Sequence, residues 1–432
     1  MVAADGLWLT RFKFGHIITP KGSCMQVHGG YIFVTWYQGG MDNRKVCLSR
    51  KRIGVDAEWK HVVLEHRHVM FRQDKDLPES EQRGDSHNNI AIGISPKDDT
   101  IHMLYDMHAY TPSDFENSFF NYSYSKKGAA VVPDGEWTSD LFYPKQNYLN
   151  EAVLTQRGKA QKVYQCVTYP GFLNLSDGTL VAHWRIGGTH NARMHLTKYD
   201  GDAWGPSIEW NVRNADAPVG FYGEFKVFNN RMVACWHRRC DSDQELGYKN
   251  NRGIYLAHCA DEAGCAEWFT EAGEPMGFPV VDFEIAKVGE PSEPGQNMPS
   301  GPSFVVTEGG AWHAVAQVDN MAQHWYRSKP GGEPQVVKGE LPFGMVHTVG
   351  ESVFLVGLDD MYPVIMRTRE GTYDWKEVFR LTHGRKYTHG VSMVADGSIF
   401  YYLMERVSPP SVDARPLHVL RFDLSRELHE NG

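Results

Sequence analysis

Short apolar runs, each opened by a polar turn, recur along the whole chain. The clearest are Lys97–Tyr105 (KDDTIHMLY), Ser176–Trp184 (SDGTLVAHW), Asn229–Trp236 (NNRMVACW), Glu308–Ala316 (EGGAWHAVA) and Ala395–Leu403 (ADGSIFYYL). A second mark, an acidic or small turn closed by tryptophan, falls at Trp59, Trp137, Trp204, Trp268 and Trp375. Most of these marks are spaced by about 65 residues, and the widest gap leaves room for two units. Each unit reads as strand A, turn, strand B, loop, strand C, a turn with tryptophan, and strand D: a four-stranded antiparallel blade. Units fall near residues 25–65, 87–145, 166–213, 222–270, 300–338, 341–380 and 388–424.

The last unit lacks a clear fourth strand. The alternating N-terminal run Leu7–Phe14 (LWLTRFKF) is expected to supply it. Pairing the two ends of the chain closes the ring and removes a free strand edge. The pattern therefore predicts an all-β, seven-bladed β-propeller, with residues 1–432 as one domain. Only short stretches such as Arg415–Leu428 mix apolar and charged residues in a way that fits a helix.

Composition supports strands over helices, since aromatic residues make up 12% and there are 42 glycines to turn the chain. A net charge of −9 without a lysine-rich run argues against nucleic acid or an anionic membrane as partner. No stretch approaches the length of a membrane-spanning helix. Met1–Gly6 lacks the apolar centre of a signal peptide, so secretion is expected only from the function argued below. Cys24, Cys47, Cys166 and Cys235 lie in strand-like contexts as small core residues. Cys240, Cys259 and Cys265 lie in or beside loops, where a metal site or a disulfide is open to them.

Blade geometry turns spacing into proximity. Strands A and B are antiparallel, so the start of A and the end of B share a rim. In the second unit, Asp85–Asn89 (DSHNN) opens A and Asp106–Tyr110 (DMHAY) closes B, which puts His87, Asn88 and His108 on that rim. In the third, Thr168–Pro170 (TYP) and Trp184–Gly188 (WRIGG) bring Tyr169 near Arg185. The fourth adds Tyr222, His237, Arg238 and Arg239 from FYGE and CWHRRC, and the seventh adds Tyr387 and His389. A lone rim histidine such as His389 is ordinarily satisfied by a backbone carbonyl, and rim arginines often only solvate a loop. His87, His108, Tyr169 and Arg185 differ, because two adjacent blades deliver all four to one patch.

That patch lacks the paired carboxylates of most glycosidases, since Asp85 and Asp106 each precede a histidine and are read as orienting it. No nucleophile elbow or glycine-rich phosphate loop is present. Histidine, tyrosine and arginine suit β-elimination from a uronic acid. Arginine and histidine can bind the carboxylate and stabilise an enolate-like intermediate, while a base takes the C5 proton and an acid protonates the C4 oxygen. A neighbouring guanidinium is expected to lower the tyrosine pKa, and histidine titrates near neutrality. The step needs no metal or organic cofactor.

The runs Asp85–Ser95 (DSHNNIAIGIS), Thr100–His108 (TIHMLYDMH) and Val167–Gly188 (VTYPGFLNLSDGTLVAHWRIGG) resemble the BNR-repeat, sialidase-like propellers, and more narrowly the ulvan lyases of polysaccharide lyase families twenty-four and twenty-five. The resemblance implies His87, Tyr169, His108 and Arg185 as catalytic residues, with Tyr222 as a substrate contact; Asn88, Arg238, Arg239 and His389 are read from the rim as further substrate contacts. It implies ulvan, an acidic sulfated polysaccharide, as substrate, an unsaturated uronate as product, and a secreted monomer. It also implies a structural zinc or calcium, for which His190, His237 and Cys240 have usable spacing. Cys259 and Cys265 would then pair with each other or stay free. Similar propellers include rhamnose–glucuronate lyases and a rhamnosidase acting on arabinogalactan, and a glycoside hydrolase or a non-catalytic carbohydrate-binding propeller are the rival readings.

Overall fold

The computed structural model describes every residue except 152–160, 189–190, 213–219, 240–250, 294–295, 297, 340, 409–411 and 426–432. Seven antiparallel sheets follow one another along the chain. Blade one contains β2 (Met25–His28), β3 (Tyr31–Tyr37), β4 (Lys45–Arg52) and β5 (Lys60–Arg67). Blade two contains β6 (Ile90–Ile94), β7 (Ile101–Tyr105) and β8 (Tyr122–Tyr124). Blade three contains β9 (Val167–Asn174), β10 (Leu180–Ile186), β11 (Arg193–Tyr199) and β12 (Ile208–Glu209). Blade four runs from β13 (Gly220–Phe228) and β14 (Arg231–Arg239) through β15 (Asn251–Cys259), with smaller strands outside it. Blades five and six span Ser303–Lys338 and Phe343–Arg380.

Blade seven joins β27 (Tyr387–Ala395), β28 (Ser398–Glu405) and β29 (Ala414–Asp423) to β1 (Ala3–Leu7). The N-terminus thus closes the ring, but through Ala3–Leu7 rather than the expected Leu7–Phe14. Gly6 lies so close to Leu417 on β29 that a Cβ there would sit 2.5 Å from its side chain. Past Leu7, the Trp8 amide bonds the Asp413 carbonyl at 3.0 Å, and the chain then leaves the sheet. The helix-compatible Arg415–Leu428 is largely β29, because its backbone is bonded by β28 on one side and β1 on the other. Among the described residues no helix is long and apolar enough to cross a membrane.

The core explains why the inner strands are apolar on both faces. Successive side chains of a strand point to opposite sides, and in a propeller both sides meet a neighbouring blade. Phe33 joins a cluster shared with blade two, whereas the next residue, Val34, joins one shared with blade seven. Met103 and Leu104 divide in the same way between blades one and three. Each blade is therefore cemented to two others, and the ring is one packing unit.

Blade two departs from the four-stranded expectation. Its fourth position is filled by isolated bridges from Gln146 and Phe142, and Asp134–Glu136 is a 3₁₀ turn. The fully buried Arg50 of β4 captures the carbonyls of Ala130 and Val132 at 3.0 and 2.6 Å, and stacks on Trp137. The segment leading to the fourth position is thereby held against blade one. Cys24, Cys47 and Cys235 are buried between blades as expected, and Cys259 and Cys265 are free thiols.

Candidate active site

The loop before β6 and the loop after β7 meet at one rim, as the antiparallel pairing requires. Asp85, fully buried, accepts hydrogen bonds from His87 Nδ1 at 2.9 Å and from His108 Nδ1 at 2.5 Å. The two imidazoles stack with centroids 4.1 Å apart and stay partly open, at 22% and 23% exposure. Burial would lift the Asp85 carboxyl, but the bonds from His108 and His87 outweigh it and hold the group well below the usual carboxylate range. Burial pushes His87 down to about 4, with Asp85 pulling the other way. With Nδ1–H donated to Asp85, neutral His87 keeps Nε2 as a proton acceptor.

Blade three is tied to this rim by the bridge between His108 and Thr168, and by the Ala109 amide on the Val167 carbonyl at 2.9 Å. The next residue is Tyr169. Its φ of 53° is unusual for a side chain of this size, and the β9–β10 register shifts between His183 and Arg185 at the same level. Tyr169 and Pro170 together face Trp184: a β-bulge, which re-aims a side chain at the cost of local strain. The Tyr169 ring arrives 6.0 Å from His87 and 6.2 Å from Tyr222. Burial pushes its hydroxyl up to about 12, and the neighbouring Arg185 reduces that rise without reversing it. The expected lowering by the cation is thus outweighed by desolvation.

Arg185 is 4% exposed and donates to the Tyr222 hydroxyl at 2.9 Å and the Gly188 carbonyl at 3.0 Å. Its guanidinium carbon lies 4.1 Å from the Tyr222 ring centre and 5.6 Å from that of Tyr169. Arg239 donates to the same hydroxyl at 3.0 Å. Among the described residues, neither guanidinium has a carboxylate partner. Burying a cation without a counter-ion is costly, and such groups mark binding sites.

Not every expected residue joins this cluster. Asn88 is fully buried and its amide is taken by Asp106 and Tyr110, which corrects its assignment as a substrate contact. Arg238 lies on the other face of β14, paired with Glu284 at 2.8 Å, so it too is a structural residue. His389 has Nε2 on the Thr19 carbonyl and Nδ1 on Thr388, the satisfied-histidine outcome. Asp106 orients His66 and His68 rather than His108.

His190 and Cys240 lie outside the described residues. His237 is buried, stacked on Tyr222, and pushed down to about 3 by burial with Arg239 and Arg185 adding to it. Its Nδ1 has no partner among the described residues. Sequence reasoning missed His66, His68, Phe14 and Lys21. The first two close strand D of blade one on the shared rim and were legible by the same rule. Phe14 was hidden inside a run read as strand.

A closed seven-bladed propeller with imidazoles, phenols and two guanidiniums at one mouth is the class of molecule these features define. The model of the BNR repeat-containing family matches residues 31–333. The chain is 31% identical to an ulvan lyase, long isoform, of Alteromonas sp over 98% of its length and 44% of the relative's. It is 30% identical to an ulvan lyase, short isoform, of Alteromonas sp. (strain LOR), over 96% of this chain and 84% of that one. It therefore belongs to the ulvan lyase family of BNR-repeat propellers, while spanning about half the length of the long isoforms. The crystal structure of polysaccharide lyase Uly1 superposes with a TM-score of 0.83 at 25% identity, covering 98% of each chain.

Proposed function

We propose that this protein cleaves ulvan by β-elimination at a uronic acid, leaving a 4,5-unsaturated uronate at the new end. The observation that carries the reading is Arg185: a buried guanidinium without a carboxylate partner among the described residues, held against Tyr169, whose ring in turn borders His87. The substrate carboxylate supplies the missing counter-charge. Arg185 holds it, and Arg239 adds positive potential through the shared Tyr222 hydroxyl. His87 Nε2 removes the C5 proton. The electrons of that bond form the C4–C5 double bond as the C4–O bond breaks, and Tyr169 gives its proton to the departing oxygen. Asp85 keeps His87 in the tautomer that can accept a proton, and His108, bonded to the same carboxylate, lies against the face of His87. A glycosidase reading is disfavoured because Asp85 and Asp106, the carboxylates flanking these histidines, are both fully buried and committed to imidazoles.

The direct test is ultraviolet absorbance on incubation with ulvan, heparan-type glycans, pectins and gum arabic. Absorbance growth on ulvan supports elimination; new reducing ends without it would identify a hydrolase, and binding without products a non-catalytic lectin-like propeller. Growth confined to gum arabic would redirect the substrate to arabinogalactan-type glycans. A polymer of this size is met outside the cell, so the proposal includes secretion and action as a monomer.

We also propose a structural zinc on His190, His237 and Cys240. The Nδ1 of His237, without a partner among the described residues and on a ring kept neutral, fits a metal ligand. Such an ion would tie blade three to the strand end that carries Arg239 and take no part in the elimination. Metal analysis of the purified protein is expected to find about one zinc per chain, and a metal-free protein of unchanged thermal stability would refute the site.

A further inference from the structure

Between β1 and β2 the chain leaves the sheets and crosses the mouth of the ring. It is pinned to blade two by the parallel bridge between Phe12 and Gly84 and by the Lys13 amide on the Gly84 carbonyl at 3.0 Å. It then meets blade seven, where the Thr19 carbonyl receives His389, and returns so that Lys21 Nζ donates to the Ser86 carbonyl at 3.0 Å. Gly84 and Ser86 flank Asp85. The segment is thus built onto the loop that holds the catalytic histidines.

Two of its side chains face the site without being used up by the fold. Phe14 is 47% exposed although it touches three rings: Phe71 at 5.5 Å, His87 at 4.7 Å and His108 at 5.4 Å, all edge-on. Contact with Phe71 alone would anchor the segment. The half-open phenyl beside the two imidazoles is instead the kind of apolar platform on which a sugar ring packs, next to the few polar groups that orient it. Lys21 carries a cation largely withdrawn from water, which burial pushes below its ordinary pKa while Asp85 pulls it back. Its positive charge bears on both His87 and His389. Among the described residues its one hydrogen bond is to Ser86 and no carboxylate lies within ion-pair distance of it. A half-buried ammonium with donors to spare is completed by an oxyanion.

We propose that residues 12–22 form one wall of the polysaccharide site, with Phe14 as the stacking platform for a sugar beside the scissile bond and Lys21 as the contact for an oxyanion of the substrate. This rests on the elimination reading for the position of the scissile bond. The oxyanion is a sulfate ester or a second uronate carboxylate, and both present the same charge and acceptors to an ammonium.

The test uses Phe14→Ala, Lys21→Met and Lys21→Arg, each checked for an unchanged melting temperature. On native ulvan, Phe14→Ala and Lys21→Met are expected to raise KM about tenfold with kcat within about threefold, and Lys21→Arg to restore most of the loss. On chemically desulfated ulvan a vanished Lys21→Met penalty assigns the oxyanion as sulfate, and a persisting one assigns it as carboxylate. Unchanged KM in folded Phe14→Ala and Lys21→Met would overturn the wall. So would a Lys21→Met effect confined to kcat, which would make Lys21 a positioning residue for the Asp85 loop. Retardation in native gels containing ulvan separates the two claims. If the wild type fails to cleave ulvan but is retarded, the elimination reading fails. The wall then stands on loss of retardation in both variants and falls if retardation is unchanged.

Discussion

Replacing Arg185 with methionine separates stability from activity more cleanly than any other change at this site. In the folded protein Arg185 donates to Tyr222 and Gly188 and stacks on two tyrosines. Charged hydrogen bonds contribute about 1.5–3 kcal/mol each and a cation–π contact about 0.5–2 kcal/mol. Against these stands the desolvation of a nearly buried cation, which costs several kcal/mol when no counter-ion is present. Removal leaves little unsatisfied: the Tyr222 hydroxyl still receives Arg239, and Gly188 is exposed to water. The two sides nearly cancel, so Arg185→Met is expected to stay within about 1 kcal/mol of the wild type, a melting shift of about 2–4 °C at most. Turnover should behave differently. Loss of one preorganised group on the developing charge costs about 10²–10³ in rate, or about 2.7–4 kcal/mol. Calorimetry and initial rates of absorbance growth on ulvan read the two quantities. A variant that keeps more than a tenth of wild-type kcat/KM, or one that melts more than about 10 °C lower, would refute the idea that Arg185 is held unpaired for the substrate.

His87→Ala and Tyr169→Phe are each expected to lose about 10²–10⁴-fold in kcat while remaining folded, and near-normal rates in both would remove the proton-transfer assignment. The kcat/KM of the free enzyme should fall as pH drops through about 4, where His87 takes up a proton, and stay level through neutrality because Tyr169 holds its proton to about 12. An acid limb near the ordinary histidine value would contradict the lowering of His87 by burial. Asp106→Ala leaves His66, His68, Asn88 and the Val69 amide without their buried acceptor, and is expected to cost about 3–5 kcal/mol in denaturant unfolding. An unchanged midpoint would contradict that account of the Asp106 cluster.

The repeat pattern made the ring legible, because every inner strand must be apolar on both faces to meet two neighbours. The rim rule likewise brought His87, His108, Tyr169 and Arg185 together from four separate stretches. What stayed hidden depended on side chains acting across blades. Arg50 holds the turn at Ala130–Val132, ahead of the fourth position of blade two, against blade one, and nothing in the local pattern at 129–141 announces a partner on β4. Asn88 and Arg238 adjoin rim residues in sequence, yet one is drawn inward by Asp106 and the other is turned to the opposite strand face toward Glu284. The tyrosine pKa went opposite to expectation because a cation's pull can be read from sequence whereas the depth of burial cannot. The N-terminal run was read as strand to its end, which concealed the crossing of the mouth by Phe14 and Lys21.

The central claim is that bond cleavage here creates a double bond. Incubating the purified protein with ulvan and following ultraviolet absorbance together with reducing ends tests it directly. Elimination predicts that the two signals rise in step, one conjugated uronate for each new end. Reducing ends that accumulate while absorbance stays flat would contradict it.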